Sequence, residues 1–247
     1  MSRWKAAGIH ICISALIGLI SATLIFFVWY PRPYSHAAGA DTLVLLLLGV
    51  DVVLGPLLTL IVFRAGKWGM RFDLTVIAIA QACAFLYGTS VVVRARPAFI
   101  VANVDRFSLV TANDIDPADY AKAKRAEFAS TPWTGPRIIG AQLPTDVKDR
   151  NKIAFGGPGG KDIDVMPQYY VDYAEVAKAL LQRAKPIDEL VAKKKEAEPV
   201  LATWLREHGR AIGDVRWVPL TASRATLTML LDAKTGAPLD ALPIAPW

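Results

Sequence analysis

The chain has 247 residues, of which 53% are hydrophobic and 20% charged, with a formal net charge of +6 and a mean hydropathy of +0.34. Ordinary globular domains are about 25% charged and about 45–50% apolar, so this excess has to be concentrated somewhere. Residues 8–93 hold three uninterrupted apolar stretches, whereas residues 94–247 hold 22 of the 28 Lys+Arg and 19 of the 22 Asp+Glu. That division excludes a wholly soluble enzyme, a disordered tail protein and a disulfide-stapled secreted domain. The only cysteines, Cys12 and Cys83, lie inside apolar stretches, and the basic residues of the tail alternate with acids, so no nucleic-acid footprint follows.

The apolar stretches run over residues 8–29, 42–63 and 74–93. At about 1.5 Å of rise per residue each matches a hydrocarbon core about 30 Å thick, which predicts three transmembrane helices in a membrane domain 1–93. Arg3 and Lys5 before the first stretch, with Ala38-Gly39-Ala40 beyond it, resemble a cleavable signal. An apolar run of this length exceeds the roughly 7–15 residues of a signal core, so an uncleaved anchor is expected. Arg64, Lys67 and Arg71 fill the loop between the second and third stretches, while the first loop offers only Arg32. Lys and Arg favour the cytoplasmic side, so the reading places the N-terminus in the cytoplasm and the tail across the membrane. Membrane lipid is then an expected partner.

The second stretch contains Gly49-Val50-Asp51-Val52-Val53-Leu54-Gly55-Pro56, with Asp51 almost at the bilayer centre. A central aspartate costs about 2.5–3.5 kcal/mol on insertion scales, and nine leucines in the same span offset it. The carboxyl still needs a partner. Pro56 cannot donate to the carbonyl of Val52, so the turn beside Asp51 is loosened. Depth arithmetic sets Tyr87 about 5 Å from the midplane on the same side as Asp51 and Gln81 about 4 Å on the other, which makes Tyr87 the nearer candidate. Asp51, Gly55, Pro56, Gln81 and Tyr87 form the candidate intramembrane polar site. It serves an internal interhelical bond, a contact with another protein's transmembrane helix or a proton-coupled role. Ser14, Gly18 and Ala22, and likewise Ala80, Ala84 and Gly88, are small residues at helical spacing that let helices approach closely.

From residue 94 onward the pattern predicts an exported α+β domain, 94–247. Ala98–Asn103 and Phe107–Thr111 read as strands around Val104-Asp105-Arg106, and Pro117 opens a helix with Tyr120, Ala121 and Phe128 for its buried face. Arg137–Leu143 is a further strand, and Thr145 is placed to cap a short helix through Ile153. Gly156-Gly157-Pro158-Gly159-Gly160 is a loop. Residues 173–208 read as helix divided by Pro199, followed by strands Val215–Leu220 and Ala225–Asp232 and a turn at Ala233-Lys234-Thr235-Gly236.

Catalytic chemistry finds little support. Lys161 after the glycine run lacks the Gly and Ser/Thr that a phosphate loop requires. Asp162, Asp164 and Asp172 read as a solvated loop rather than a cation site, and no His/Cys set has metal-ligand spacing. The reading therefore assigns no catalytic residue, metal or cofactor. The best polar set for a competing class, a membrane enzyme modifying a protein or lipid at the exterior surface, is His36, Asp41 and Asp105, and it is poor.

The run Gly49–Leu57, with Gly66-Lys67, Asp73-Leu74, Gln81, Tyr87-Gly88, Arg96-Pro97, Gly140-Ala141-Gln142-Leu143-Pro144, Pro167-Gln168-Tyr169-Tyr170 and Pro246-Trp247, resembles the TfpX/TfpZ type IV pilin accessory proteins of bacterial inner membranes. The resemblance spans essentially the whole chain. It implies a non-enzymatic, multi-pass helper of a cognate type IV pilin with a periplasmic C-terminal domain, and it carries no catalytic set.

Overall fold

A computed structural model describes residues 2–64, 68–154 and 161–247; Lys67 and the Gly156–Gly160 loop lie outside them. Among the described residues three helices are long and apolar enough to cross a membrane, Arg3–Trp29, Ala40–Val62 and Met70–Arg94. They are followed by an eight-stranded mixed sheet with helices on its faces, which gives the expected class of a three-helix membrane bundle followed by an α+β domain.

Each membrane helix keeps most of its apolar surface outward, as lipid-facing helices do. Gly18 in the first helix lets Leu48 and Val52 of the second come close, and Ser14 is buried beside it. Of the third helix's small residues, Gly88 receives Leu47, whereas Ala80 and Ala84 stay exposed. A bond of 2.7 Å between His10 Nδ1 and Thr59 Oγ1 also ties the first helix to the second.

In chain order the strands are β1 (Pro97–Asn103), β2 (Arg106–Thr111), β3 (Arg137–Ala141), β4 (Tyr170–Val171), β5 (Lys185–Pro186), β6 (Val215–Thr221), β7 (Thr226–Asp232) and β8 (Pro238–Leu242). The spatial order is β4-β3-β1-β2-β6-β7-β8, with β5 paired to β6. β1 runs parallel to β3, and β2 parallel to β6; the remaining pairs are antiparallel. Alternation along the strands sends Ile100, Ala102, Phe107, Leu109, Val218 and Leu220 to one face. Phe99, Val101, Val110 and Ile139 go to the other, against Phe128 and Ile163. Behind β6–β8 that second layer continues as Ile187, Leu190, Leu201 and Trp204 packed on Trp217 and Leu230. With both faces covered, β1 is buried at every position, which explains its unbroken apolar sequence.

Three local expectations need correction. Pro199 does not divide a helix: it lies in the first turn of Ala197–Glu207, where a missing N–H costs nothing because no intrahelical acceptor exists for it. The breaks fall instead at β5 and at residues 194–196. The helix opened by Pro117 ends at Tyr120, and Phe128 belongs to a separate turn, Ala126–Phe128. The helix Val147–Ala154 is preceded by Asp146, not Thr145, as the residue whose carboxylate accepts a backbone N–H, that of Lys148 at 2.9 Å.

The connection between the first two membrane helices belongs structurally to the C-terminal domain. It carries a cis Arg32–Pro33 bond and a short helix, Tyr34–Ala37. Ala37 is fully buried among Ile100, Phe107 and Leu227.

Candidate functional site

The second membrane helix is regular except at Val50–Leu54, a π-turn. Its cause is local. Pro56 has no N–H for either carbonyl behind it, that of Val52 in α geometry or of Asp51 in π geometry, so the ladder widens. In hydrocarbon an unsatisfied backbone group is costly, and the third helix supplies the missing donor: Gln81 Nε2 donates to the carbonyl of Asp51 at 3.3 Å. Gly55 makes this approach possible. A Cβ there would lie 2.5 Å from Cδ and 2.6 Å from Oε1 of Gln81. The structure thus brings Asp51, Gly55, Pro56 and Gln81 into one arrangement, with Gly55 and Pro56 buried.

Tyr87 is placed differently. It is 74% exposed and makes no hydrogen bond to Asp51, so the nearer candidate in depth is not the residue that meets the π-turn. Equal depth does not bring side chains together when one faces away from the helix contact. Tyr87 and Asp51 instead border the same groove between the second and third helices, about 320 Å³ in volume, whose walls include Leu43, Leu47, Ala84 and Gly88. The Asp51 Oδ1 atom is buried there without a hydrogen-bond partner. The groove is therefore an apolar trough with one unsatisfied acid and a small-residue wall along the third helix.

The other polar candidates separate. His36 and Asp41 pair at 3.1 Å, but Asp105 sits at the β1–β2 turn, bonded to Arg106 at 2.9 Å. Asp162 accepts from its neighbour Ile163 N, Asp164 is pushed up by burial, and Asp172 pairs with Arg125 at 2.9 Å. Among the described residues no group of three His, Cys, Asp or Glu is placed to hold a metal. Lys161 is held by Asp119 and Asp116, which occupies its ammonium.

Sequence reasoning missed how the third membrane helix ends. Its last carbonyls have no helical N–H, and side chains cap them. Tyr30 OH donates to Val92 O at 2.8 Å, and the buried Arg96 donates to Val93 O at 2.7 Å and to Thr131 Oγ1 and Pro132 O at 3.1 and 3.0 Å. Across the junction, Gly135 N donates to Val28 O at 2.8 Å. Arg96-Pro97 marks the end of the helix in sequence; nothing comparable marks Tyr30.

These features define a protein in which three helices long and apolar enough to cross a membrane are joined to a mixed α+β domain through a packed junction. The model of the family "Fimbrial assembly protein FimB" matches residues 1–39. The fimbrial assembly protein of serogroup I of Dichelobacter nodosus is 29% identical over 230 residues, 92% of this chain and 89% of that relative. The one of serogroups C1 and C2 is 38% identical over 113 residues, 45% of this chain and 86% of that relative. The one of serogroup A1 is 50% identical over 36 residues, 15% of this chain and 75% of that relative. The chain belongs to the fimbrial assembly protein family. No solved structure matches it.

Proposed function

We propose that the protein is a non-enzymatic accessory of type IV fimbrial assembly that docks the apolar helix of a pilin in the groove between its second and third membrane helices. The C-terminal domain meets the pilin's head outside the membrane. On this reading it resides in the bacterial inner membrane, with a cytoplasmic N-terminus and a periplasmic domain, as the loop charges favour. The names of its relatives support the assembly role. The observation that carries the docking role is the buried, unpartnered Asp51 oxygen in an otherwise apolar trough. An acid near the bilayer centre costs about 2.5–3.5 kcal/mol, and a partner helix that brings a donor offsets part of that. Ala84 in the wall is small and exposed, which lets a second helix approach closely. The π-turn adds a segment already departed from α geometry, a feature frequent at functional sites.

Asp51→Asn and Asp51→Leu test the reading directly. Asn keeps the volume and can still exchange a hydrogen bond, whereas Leu cannot. Expected are reduced pilin co-purification and surface display for Leu, and a smaller loss for Asn, at normal accumulation of the protein. A photocrosslinker in place of Tyr87 should capture pilin. Unchanged display with both variants, together with no pilin adduct from Tyr87, would refute docking in this groove.

A further inference from the structure

A second unsatisfied arrangement lies in the C-terminal domain, at the end of β1 away from the third membrane helix. A cavity of about 250 Å³ opens there beside the helix Tyr173–Leu181, lined by Leu143, Val176 and Leu180 together with four polar residues, Asn103, Gln142, Glu175 and Arg183; the Glu175 carboxylate is already paired with Arg125 at 2.6 Å. Asn103 is only 7% exposed, and its Oδ1 is buried with no partner. Buried amide oxygens are nearly always hydrogen-bonded, and one left bare is costly. The Arg183 guanidinium has no carboxylate or hydrogen-bond partner among the described residues, whereas nearby cations do: Arg106 is bonded to Asp105, Arg125 to Glu175 and Lys185 to Glu189. Arg183 also borders a second cavity of about 370 Å³, whose lining includes Asp105, Arg106, Lys185 and Trp247; there Arg106 and Lys185 already have carboxylate partners, which leaves Arg183 as the cation able to take an anion.

The three unmet features belong to one ligand chemistry. The apolar wall takes an aliphatic side chain, Asn103 Oδ1 needs an N–H donor, and Arg183 needs an anion. A free phosphate or a fatty acid offers the anion but no N–H donor. A polypeptide offers all three within two residues. We propose that this cavity binds an extended segment of a partner protein in which an aliphatic residue adjoins an Asp or Glu. The aliphatic chain packs against Val176 and Leu180, a backbone N–H donates to Asn103 Oδ1, and the carboxylate pairs with Arg183. Hydrogen bonds to charged groups are the stronger ones, so the carboxylate sets much of the selectivity.

The proposal shares with the docking reading only the assumption that the ligand is a protein, and a synthetic probe makes its test independent of pilin. The full-length protein in lipid nanodiscs is titrated with fluorescein-labelled glycine-flanked peptides carrying a Leu-Asp or an Asp-Leu core, and anisotropy is recorded. Saturable binding of one of them is expected. Binding should weaken about tenfold or more when the peptide's Asp becomes Asn or its Leu becomes Gly. Arg183→Glu, an exposed position that folding tolerates, should lose the acidic peptide and gain its Lys counterpart. Asn103→Ala should weaken binding without reversing the charge preference. Absence of saturable binding to the wild-type protein, equal binding of the Asn peptide, or indifference to Arg183→Glu would each overturn the proposal.

Discussion

Gly55→Ala isolates the contact at the π-turn. The added methyl meets Gln81 2.5 Å from Cδ and 2.6 Å from Oε1, closer than any relaxed packing. Gln81 ends in a flexible amide, so the overlap is relieved by swinging that amide away rather than by moving a helix, and the full overpacking cost of about 1–3 kcal/mol is avoided. What is lost is its bond to the Asp51 carbonyl, and interhelical bonds of this kind contribute about 0.6–2 kcal/mol. Alanine gains about 1 kcal/mol over glycine in helix propensity, so the single variant should fall near neutral. In a Gln81→Ala background the bond is already gone and the space is open, so Gly55→Ala should then stabilise by about 1 kcal/mol. The expected coupling is thus about 1 kcal/mol, read from a double-mutant cycle of SDS-induced unfolding in mixed micelles with far-UV circular dichroism. If Gly55→Ala has the same effect in both backgrounds to within about 0.3 kcal/mol, Gly55 does not serve to admit Gln81.

The junction gives further outcomes. Tyr30→Phe removes a buried hydroxyl that donates to Val92 O at 2.8 Å, so the full-length protein in micelles should lose about 1–2 kcal/mol, seen as a lower Tm. Ala37→Asp puts a charge at a fully buried position of the domain core and should yield a trypsin-sensitive domain, while His36→Ala next to it, on an exposed side chain, should not. The Asp232 carboxyl is held well below the usual carboxylate range by its bond to Arg210 and by the N–H groups of Thr235 and Lys234. A depressed folded-state pKa contributes stability that is complete above the unfolded range, about pH 4, and is lost as pH falls below it. Asp232→Asn should therefore lower Tm at pH 7 by more than at pH 2, and a gap that stays constant with pH would show that Asp232 acts through shape alone.

The legible parts of the fold are those where one residue pattern persists over enough length. Three apolar runs announce three spans, and β1, β2, β6 and β7 appear because each carries six or seven residues of strand character. β4 and β5 are two residues long, too short to show any periodicity, and β8 begins at a proline, which argues against a strand unless it lies at a sheet edge. The intramembrane candidates were legible because an acid, a proline and a glutamine are conspicuous in hydrocarbon. Which of them meet was not, since contact depends on how each side chain faces its neighbour. Asn103 and Arg183 carry no sequence signal at all: what singles them out is a missing partner, and a missing partner exists only in three dimensions.

The junction decides how the two parts of the molecule relate. A simple linker at residues 94–97 would leave the domain free to turn against the membrane helices. Instead the first loop enters the domain core through Ala37, and Arg224 at the β6–β7 turn donates through its backbone to Ala37 O and through its guanidinium to Thr42 Oγ1 at 2.9 Å. The same side chain packs against Gly39, whose φ of +77° and lack of a Cβ are both required where Arg224 passes. Together with the Tyr30, Arg96 and Gly135 bonds, this ties the domain-side ends of all three long apolar helices to one another and to the domain. Each contact is modest, but they restrain different helices, so rotation of the domain has to break several at once. On the proposed reading, a partner helix held between the second and third spans would then have its domain-side segment presented to the domain at one fixed orientation, which is what a helper that engages both the helix and the head of the same partner requires.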